Sequence, residues 1–277
     1  MTLQVERVSP DVLRLRMRSW AGALAGYEVS AYLTRGVLID TGIAHAGHAL
    51  LATVAALAPR GVIVTHWHED HSGNAAALAA RGVPMLMHEE CERALRVRPA
   101  IAAYRLAVWG RPRRLADELR SFDAAPLRVI AMPGHTSDHL GVWDEERRTL
   151  LSGDLYLGVK VRIAHASEAP RRLVDSLRAA LALEPVLLLD AHRGPIREPA
   201  PQLRAKIAWM EETIGEVEAL HASGVAEREI TRRVLGREST TGWVSRGEYS
   251  KRELVRAILS ERPISPRPPS VRTSAEP

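Results

Sequence analysis

Four apolar stretches of this chain each end on a histidine or an aspartate, and that recurrence limits the possible folds more than any other feature. Gly61-Val62-Ile63-Val64-Thr65 runs into His66, and Val129-Ile130-Ala131-Met132-Pro133-Gly134 runs into His135. Leu150-Leu151-Ser152-Gly153 leads to Asp154, and Val186-Leu187-Leu188-Leu189-Asp190-Ala191 to His192. Runs this short and apolar read as buried strands, each delivering one titratable side chain from a rigid scaffold. A single histidine at a strand end is more often a satisfied surface residue. Four such ends argue for convergence on one site.

The rest of the chain fits strands packed inside helices. Leu3 to Val8 and Val12 to Met17 alternate at period two around the turn Ser9-Pro10-Asp11, a hairpin signature. A small-residue loop from Ser19 to Gly26 leads to extended stretches at Tyr27 to Thr34 and Val37 to Gly42, then to a helix from His45 to Leu57. Further helices are expected at Gly73 to Ala80, Glu89 to Arg96 and Glu168 to Leu183, the last capped by Ser167, with a strand at Val83 to Met87 between the first two. Strands first and β-α alternation afterwards predict a layered α/β architecture with sheets inside. Beyond Pro199-Ala200-Pro201 the pattern turns helical, at Gln202 to Ala222, Glu227 to Leu235 and Ser250 to Ser260. The division expected is a catalytic domain over 1–200, a helical appendage over 201–262 and a disordered Pro/Ser-rich tail over 263–277.

The stretch T-H-W-H-E-D-H-S-G-N, Thr65 to Asn74, is where the chemistry concentrates. On an extended chain His66 and His68 point to the same side, and two imidazoles there supply half of a tetrahedral metal shell. Asp70 and His71 follow as the chain turns into a helix, where they can address a second ion. Trp67 and Glu69 read as spacers of open role.

Composition narrows the setting. Hydrophobic residues make up 46% and charged residues 26% of 277, which suits a soluble globular protein. No signal peptide or membrane span is expected, and the single Cys91 fits a reducing, cytoplasmic compartment. The net charge of +5 and the seven arginines between Arg93 and Ala116 raise the question of a polyanionic partner. Only Tyr104 and Trp109 are interleaved there, too few for a base-stacking platform.

T-H-W-H-E-D-H-S-G-N, then P-G-H-T, S-G-D and A-H-R-G, preceded by L-I-D-T-G, resembles the metallo-β-lactamase superfamily over roughly residues 1–200. The resemblance implies a four-layer αββα sandwich with the site at one edge of the two sheets. It implies that His66, His68 and His135 hold one metal, that Asp70, His71 and His192 hold another, and that Asp154 bridges them. Asp40 falls at a position that braces the site. Two divalent ions, zinc by preference and manganese or iron as alternatives, would share a water and lower its pKa toward about 7, giving a bridging hydroxide nucleophile. Asp70 would orient that nucleophile or shuttle its proton, so Asp70 and Asp154 are the candidate catalytic residues.

The complete His and Asp set is most similar to the glyoxalase II, lactonase and ribonuclease branches, including the β-lactamase-like-2 type. The first expectation is a hydrolase of a small ester, thioester or lactone, with Trp20, Arg105, Tyr156, Lys160 and His165 as candidate substrate contacts. The alternative is a phosphodiesterase or endoribonuclease, with RNA as partner. Too few residues separate Asp154 from His192 for the large inserted domain of the β-CASP branch. A non-catalytic scaffold is the third reading, disfavoured by an intact ligand set. His139 reads as a structural neighbour of His135. The oligomeric state is not legible.

Overall fold

Side chains along the central strands alternate between two environments, and that alternation builds the layers. The computed structural model describes residues 2–98 and 100–261. Its strands are β1 (Thr2–Ser9), β2 (Val12–Arg18), β3 (Val29–Thr34), β4 (Val37–Ile39), β5 (Gly61–Ile63) and β6 (Met85–Leu86), then β7 (Leu127–Ala131), β8 (Leu140–Asp144), β9 (Thr149–Gly153), β10 (Leu187–Asp190) and β11 (Gly194–Arg197). The helices are α1 (Trp20–Ala25), α2 (Gly47–Leu57), α3 (Glu69–Ser72), α4 (Ala75–Ala79), α5 (Glu89–Val97) and α6 (Ala103–Trp109), then α7 (Pro170–Ala182), α8 (Ala200–Ala222), α9 (Glu227–Val234), α10 (Thr240–Val244) and α11 (Lys251–Ser260).

One sheet runs β1-β2-β3-β4-β5-β6, the other β11-β10-β9-β8-β7. Strand pairs β4–β5, β5–β6 and β9–β10 are parallel, and the remaining pairs are antiparallel. Val37, Ile39, Ile63, Leu151, Leu187 and Leu189 meet between the sheets. Their sequence neighbours Leu38, Val62 and Val64 face outward onto α2, α4 and α5. On the opposite side Leu150 and Leu188 face α7, α8 and α11. Each such buried aliphatic side chain contributes about 1.5–3 kcal/mol, and together the three interfaces give the four-layer αββα sandwich that the sequence resemblance implied.

The helices after Pro199 pack into the same cluster as the second sheet, Leu203, Ile207, Met210 and Ile258 lying with Trp143, Leu150 and Leu188. At one edge the two sheets are tied directly. Leu140 N donates to Thr65 O at 2.8 Å, Ser30 N to Ala191 O at 2.8 Å and the Tyr32 hydroxyl to Asp190 O at 2.8 Å. This is the edge at which β5, β9 and β10 end and the titratable residues follow, the usual place for a site in such sheets.

Several local expectations are corrected. Ser19 to Gly26 is not a loop: Ser19 Oγ accepts from Gly22 N, Gly26 closes the turn in the left-handed region, and α1 lies between. The helix expected at Gly73 to Ala80 is shorter, α4 over Ala75–Ala79, and a separate helical turn, α3, precedes it across Gly73 and Asn74. Ser167 does not cap α7. Its hydroxyl pairs with His165 Nδ1 at 2.8 Å, and the carboxylate of Glu261 accepts from Arg171 N and Arg172 N at 2.7 and 3.1 Å. Strand β11 and helix α10 were not anticipated, and the tail over 263–277 lies outside the described residues.

Candidate metal centre

The extended turn after β5 places His66 Nε2 3.0 Å from His68 Nδ1, and the loop after β7 brings His135 Nε2 to 3.0 Å from the same atom. Asp154, after β9, sets Oδ2 at 3.4 Å from His135 Nε2 and 4.0 Å from His66 Nε2. Its other oxygen faces elsewhere: Oδ1 lies 3.1 Å from His71 Nε2 and 3.3 Å from His192 Nε2. Asp70 Oδ2 completes this second group at 3.3 Å from His192 Nε2 and 3.9 Å from His71 Nε2. All seven sequence-derived ligand positions therefore meet at one edge, in two adjoining groups that Asp154 touches with one oxygen each.

The donor set suits a cation. A ring nitrogen carries one proton or one in-plane lone pair, so His68 Nδ1 cannot satisfy two imidazole nitrogens at 3.0 Å, whereas three lone pairs converging on an ion can all be used. A tetrahedron with bonds of roughly 2.0–2.1 Å has edges of roughly 3.3 Å, close to these separations. In the second group His71 Nε2 and Asp154 Oδ1 are buried and lack a hydrogen-bond partner among the described residues despite their proximity.

Protonation follows the same division. Burial, then the neighbouring imidazoles, pushes His66 well below the ordinary range; burial does the same to His68, and His135 falls to about 3. These rings are neutral at pH 7, the form that ligates. Burial also disfavours a charged His71, but Asp154, Asp40 and Asp70 outweigh it and hold its pKa well above the usual value. His192 behaves likewise through Asp154 and Asp70. Burial would raise Asp154, yet His71 and His192 keep it well below the carboxylate range. The carboxylates of the second group thus draw positive charge to it, as protons on His71 and His192 or as a bound cation.

An outer ring of residues fixes these side chains. Asp40, in the left-handed region at φ 66°, accepts from Thr65 N at 2.7 Å, Thr65 Oγ1 at 2.9 Å and His71 Nδ1 at 2.7 Å, which leaves His71 Nε2 facing Asp154. His192 Nδ1 donates to Glu28 O at 2.6 Å, and Asp190 accepts from His192 N at 2.9 Å. His139, read from sequence as a structural neighbour, donates from Nδ1 to Met132 O at 3.1 Å and accepts Asp154 N at Nε2, 3.0 Å away. Gly153 has to be glycine: at φ 49° an added Cβ would stand 2.7 Å from His139 Nε2.

The two spacers have partners. Trp67 N donates to Asp138 Oδ2 at 2.9 Å. Glu69, 1% exposed, pairs with the buried Arg105, whose Nη1 reaches Glu248 Oε1 at 2.9 Å. The guanidinium of Arg105 is therefore engaged by two carboxylates of its own chain. Of the other candidate substrate contacts, His165 lies beside the centre, its ring 6.2 Å from that of His68. Tyr156 is buried with Lys206 against it, Lys160 is exposed, and Trp20 is 74% exposed on α1. Arg96 and Arg98 bond to their own chain, while Arg93, Arg111, Arg113 and Arg114 are exposed. The roles of Asp40 and Asp190 follow their positions at strand ends; the Glu69–Arg105 pair could not be read, since its partners are far apart in sequence.

Residues 27–192 match the Metallo-beta-lactamase superfamily. A Beta-lactamase-like protein 2 homolog of Caenorhabditis elegans is 30% identical over 170 residues, 56% of this chain and 52% of that protein. The chain thus aligns with about half the length of that relative. Atrochrysone carboxyl ACP thioesterase AgnL7 of Paecilomyces divaricatus is 29% identical over 218 residues, 73% of this chain and 60% of its own length. Among solved structures, a metallo-beta-lactamase family protein from Thermus thermophilus superposes with a TM-score of 0.67 at 19% identity, covering 92% of this chain and 93% of that one.

Proposed function

The chain belongs to the metallo-β-lactamase superfamily, and on this premise we propose that it is a hydrolase that uses two divalent ions to cleave a small ester, thioester or lactone. The observation that carries the reading is Asp154, whose Oδ2 turns to the His66, His68 and His135 group while Oδ1 turns to His71 and His192. Ions held by these two groups would polarise a carbonyl oxygen and make water nucleophilic at neutral pH. Zinc suits the His-rich first group, and a cytoplasmic setting belongs to the same proposal; among the described residues no helix is long and apolar enough to cross a membrane.

Asp70, buried and kept ionised by His71 and His192 despite that burial, takes the proton of the attacking water at its carboxylate. The water oxygen bonds to the acyl carbon, the carbon–oxygen or carbon–sulfur bond breaks, and the leaving oxygen or sulfur takes up the proton that Asp70 received. Asp40, His139 and Asp190 hold His71, Asp154 and His192 in place throughout. Acyl substrates are supported by relatives named as thioesterases. We assign catalysis to residues 1–200 and a supporting role to the helices over 201–262.

A second reading, phosphodiester cleavage, is favoured by the exposed Arg93, Arg111, Arg113 and Arg114. The test is a panel of thioesters, lactones, phosphodiesters and single-stranded RNA on metal-loaded protein, across a salt series. Turnover of thioesters or lactones is expected, abolished in Asp154→Ala and His71→Ala together with metal content. Salt-sensitive RNA cleavage without acyl turnover would replace the first reading with the second.

A further inference from the structure

The segment joining α10 to α11 reaches back to the metal centre. Ala164 and Ser250 form an antiparallel bridge, with Ala164 N donating to Ser250 O at 3.1 Å and Ser250 N to Ala164 O at 3.2 Å. The next pair across such a bridge is His165 and Tyr249. Their rings lie 5.1 Å apart, and the His165 ring lies 6.2 Å from that of His68. On its other side Tyr249 carries the Arg105 guanidinium, 5.5 Å from the ring centroid.

Everything holding that ring is itself fixed. Glu248 accepts from Arg105 Nη1 at 2.9 Å and from the Tyr104 hydroxyl at 2.8 Å, and Arg105 also binds Glu69 within the metal motif. Burial, and the nearby carboxylates of Asp70, Glu69 and Glu168, keep the phenol protonated far above its usual range despite Arg105. It is a standing hydrogen-bond donor. Tyr249 is half-buried, and none of the described residues hydrogen-bonds its hydroxyl, which is therefore open to solvent and to a ligand, while the groups that rigidify the ring are satisfied.

We propose that Tyr249, supplied by the C-terminal helical part, is a substrate-contacting residue that donates its phenolic hydrogen to a carbonyl or carboxylate oxygen of the acyl group at the metal centre. The proposal rests on the acyl-hydrolase reading above. A ring that serves only for packing would lose nothing when the hydroxyl is removed, so Tyr249→Phe separates the two roles while preserving the contacts with Arg105 and His165.

The experiment compares wild type and Tyr249→Phe in KM and kcat on the acyl panel, and in the affinity for octanoate, an acyl product, measured by calorimetry on metal-loaded protein. Tyr249→Phe is expected to raise KM and weaken octanoate binding, each about tenfold, with metal content and melting temperature unchanged. Equal KM and equal octanoate affinity in the two proteins, or no octanoate binding by either, overturns the proposal. Acyl turnover with an unaffected Tyr249→Phe would sink Tyr249 and leave the hydrolase reading intact. Weaker octanoate binding in the variant without acyl turnover by wild type would sink the acyl reaction and retain the contact.

Discussion

Replacing Asp40 by asparagine should disable the second metal group without touching a ligand. Asparagine keeps the shape and tolerates the left-handed backbone at φ 66°. Its amide oxygen can still accept from Thr65 N, 2.7 Å away in the wild type, and the Thr65 hydroxyl can rotate to accept instead of donate. His71 cannot adjust so cheaply. Its Nδ1, now 2.7 Å from an Asp40 oxygen, would meet an amide N–H, and accepting that bond moves the ring proton to Nε2, the atom facing Asp154. Retaining the original tautomer instead forfeits a hydrogen bond to a charged group, worth about 1.5–3 kcal/mol. Either way the affinity of the Asp70, His71 and His192 group should fall roughly 10- to 100-fold, the usual cost of losing such a supporting contact. Chelator competition on metal-free protein measures this, with thermal melting as the control for folding. Wild-type affinity at both groups in Asp40→Asn would refute the reasoning.

Two further outcomes follow from the buried charges. Unfolded histidines bind protons below about pH 6.5, whereas burial keeps folded His139 neutral down to about 4 and His135 down to about 3, with His66 and His68 also lowered. Metal-free protein should therefore lose stability as pH falls below about 6.5, at about 1.4 kcal/mol per pH unit for each net proton taken up on unfolding; lowered His165 adds to these four imidazoles, and the raised carboxyls of Glu168, at about 8, and of Glu69, Asp138 and Asp190 oppose them. Denaturant melts from pH 7 to 4 test it, and a flat profile would contradict the burial of neutral imidazoles. Arg105→Met strands Glu69 and Glu248 and should cost about 3–5 kcal/mol, with partial recovery in Glu69→Gln/Arg105→Met; equal melting temperatures for wild type and Arg105→Met would show that the pair is not coupled to folding.

Much of the centre was legible because its residues sit at the ends of apolar strands, where local sequence dictates position. Leu187 to Asp190 is unmistakably a buried strand, so His192 could be placed from its neighbours alone. Interactions between distant segments were not legible. Glu69 looked like a spacer because Arg105 and Glu248 lie far along the chain, and Ser167 looked like a cap because Glu261, which takes that place, lies beyond the reach of local reasoning. Helix α1 did carry signals, Ser19 before it and Gly26 after it, but six residues with a central glycine fall below the length at which periodicity speaks. Strand β11 contains Pro195, which argues against a strand, and is accommodated at the sheet edge.

The most direct test of the central claim is acyl-substrate hydrolysis followed while a divalent ion is titrated into metal-free protein. The expected result is no turnover without metal and saturation at about two equivalents per chain, as Asp154 between two ligand groups requires. Hydrolysis that is independent of added metal, or complete at one equivalent with the second bound and silent, would contradict it.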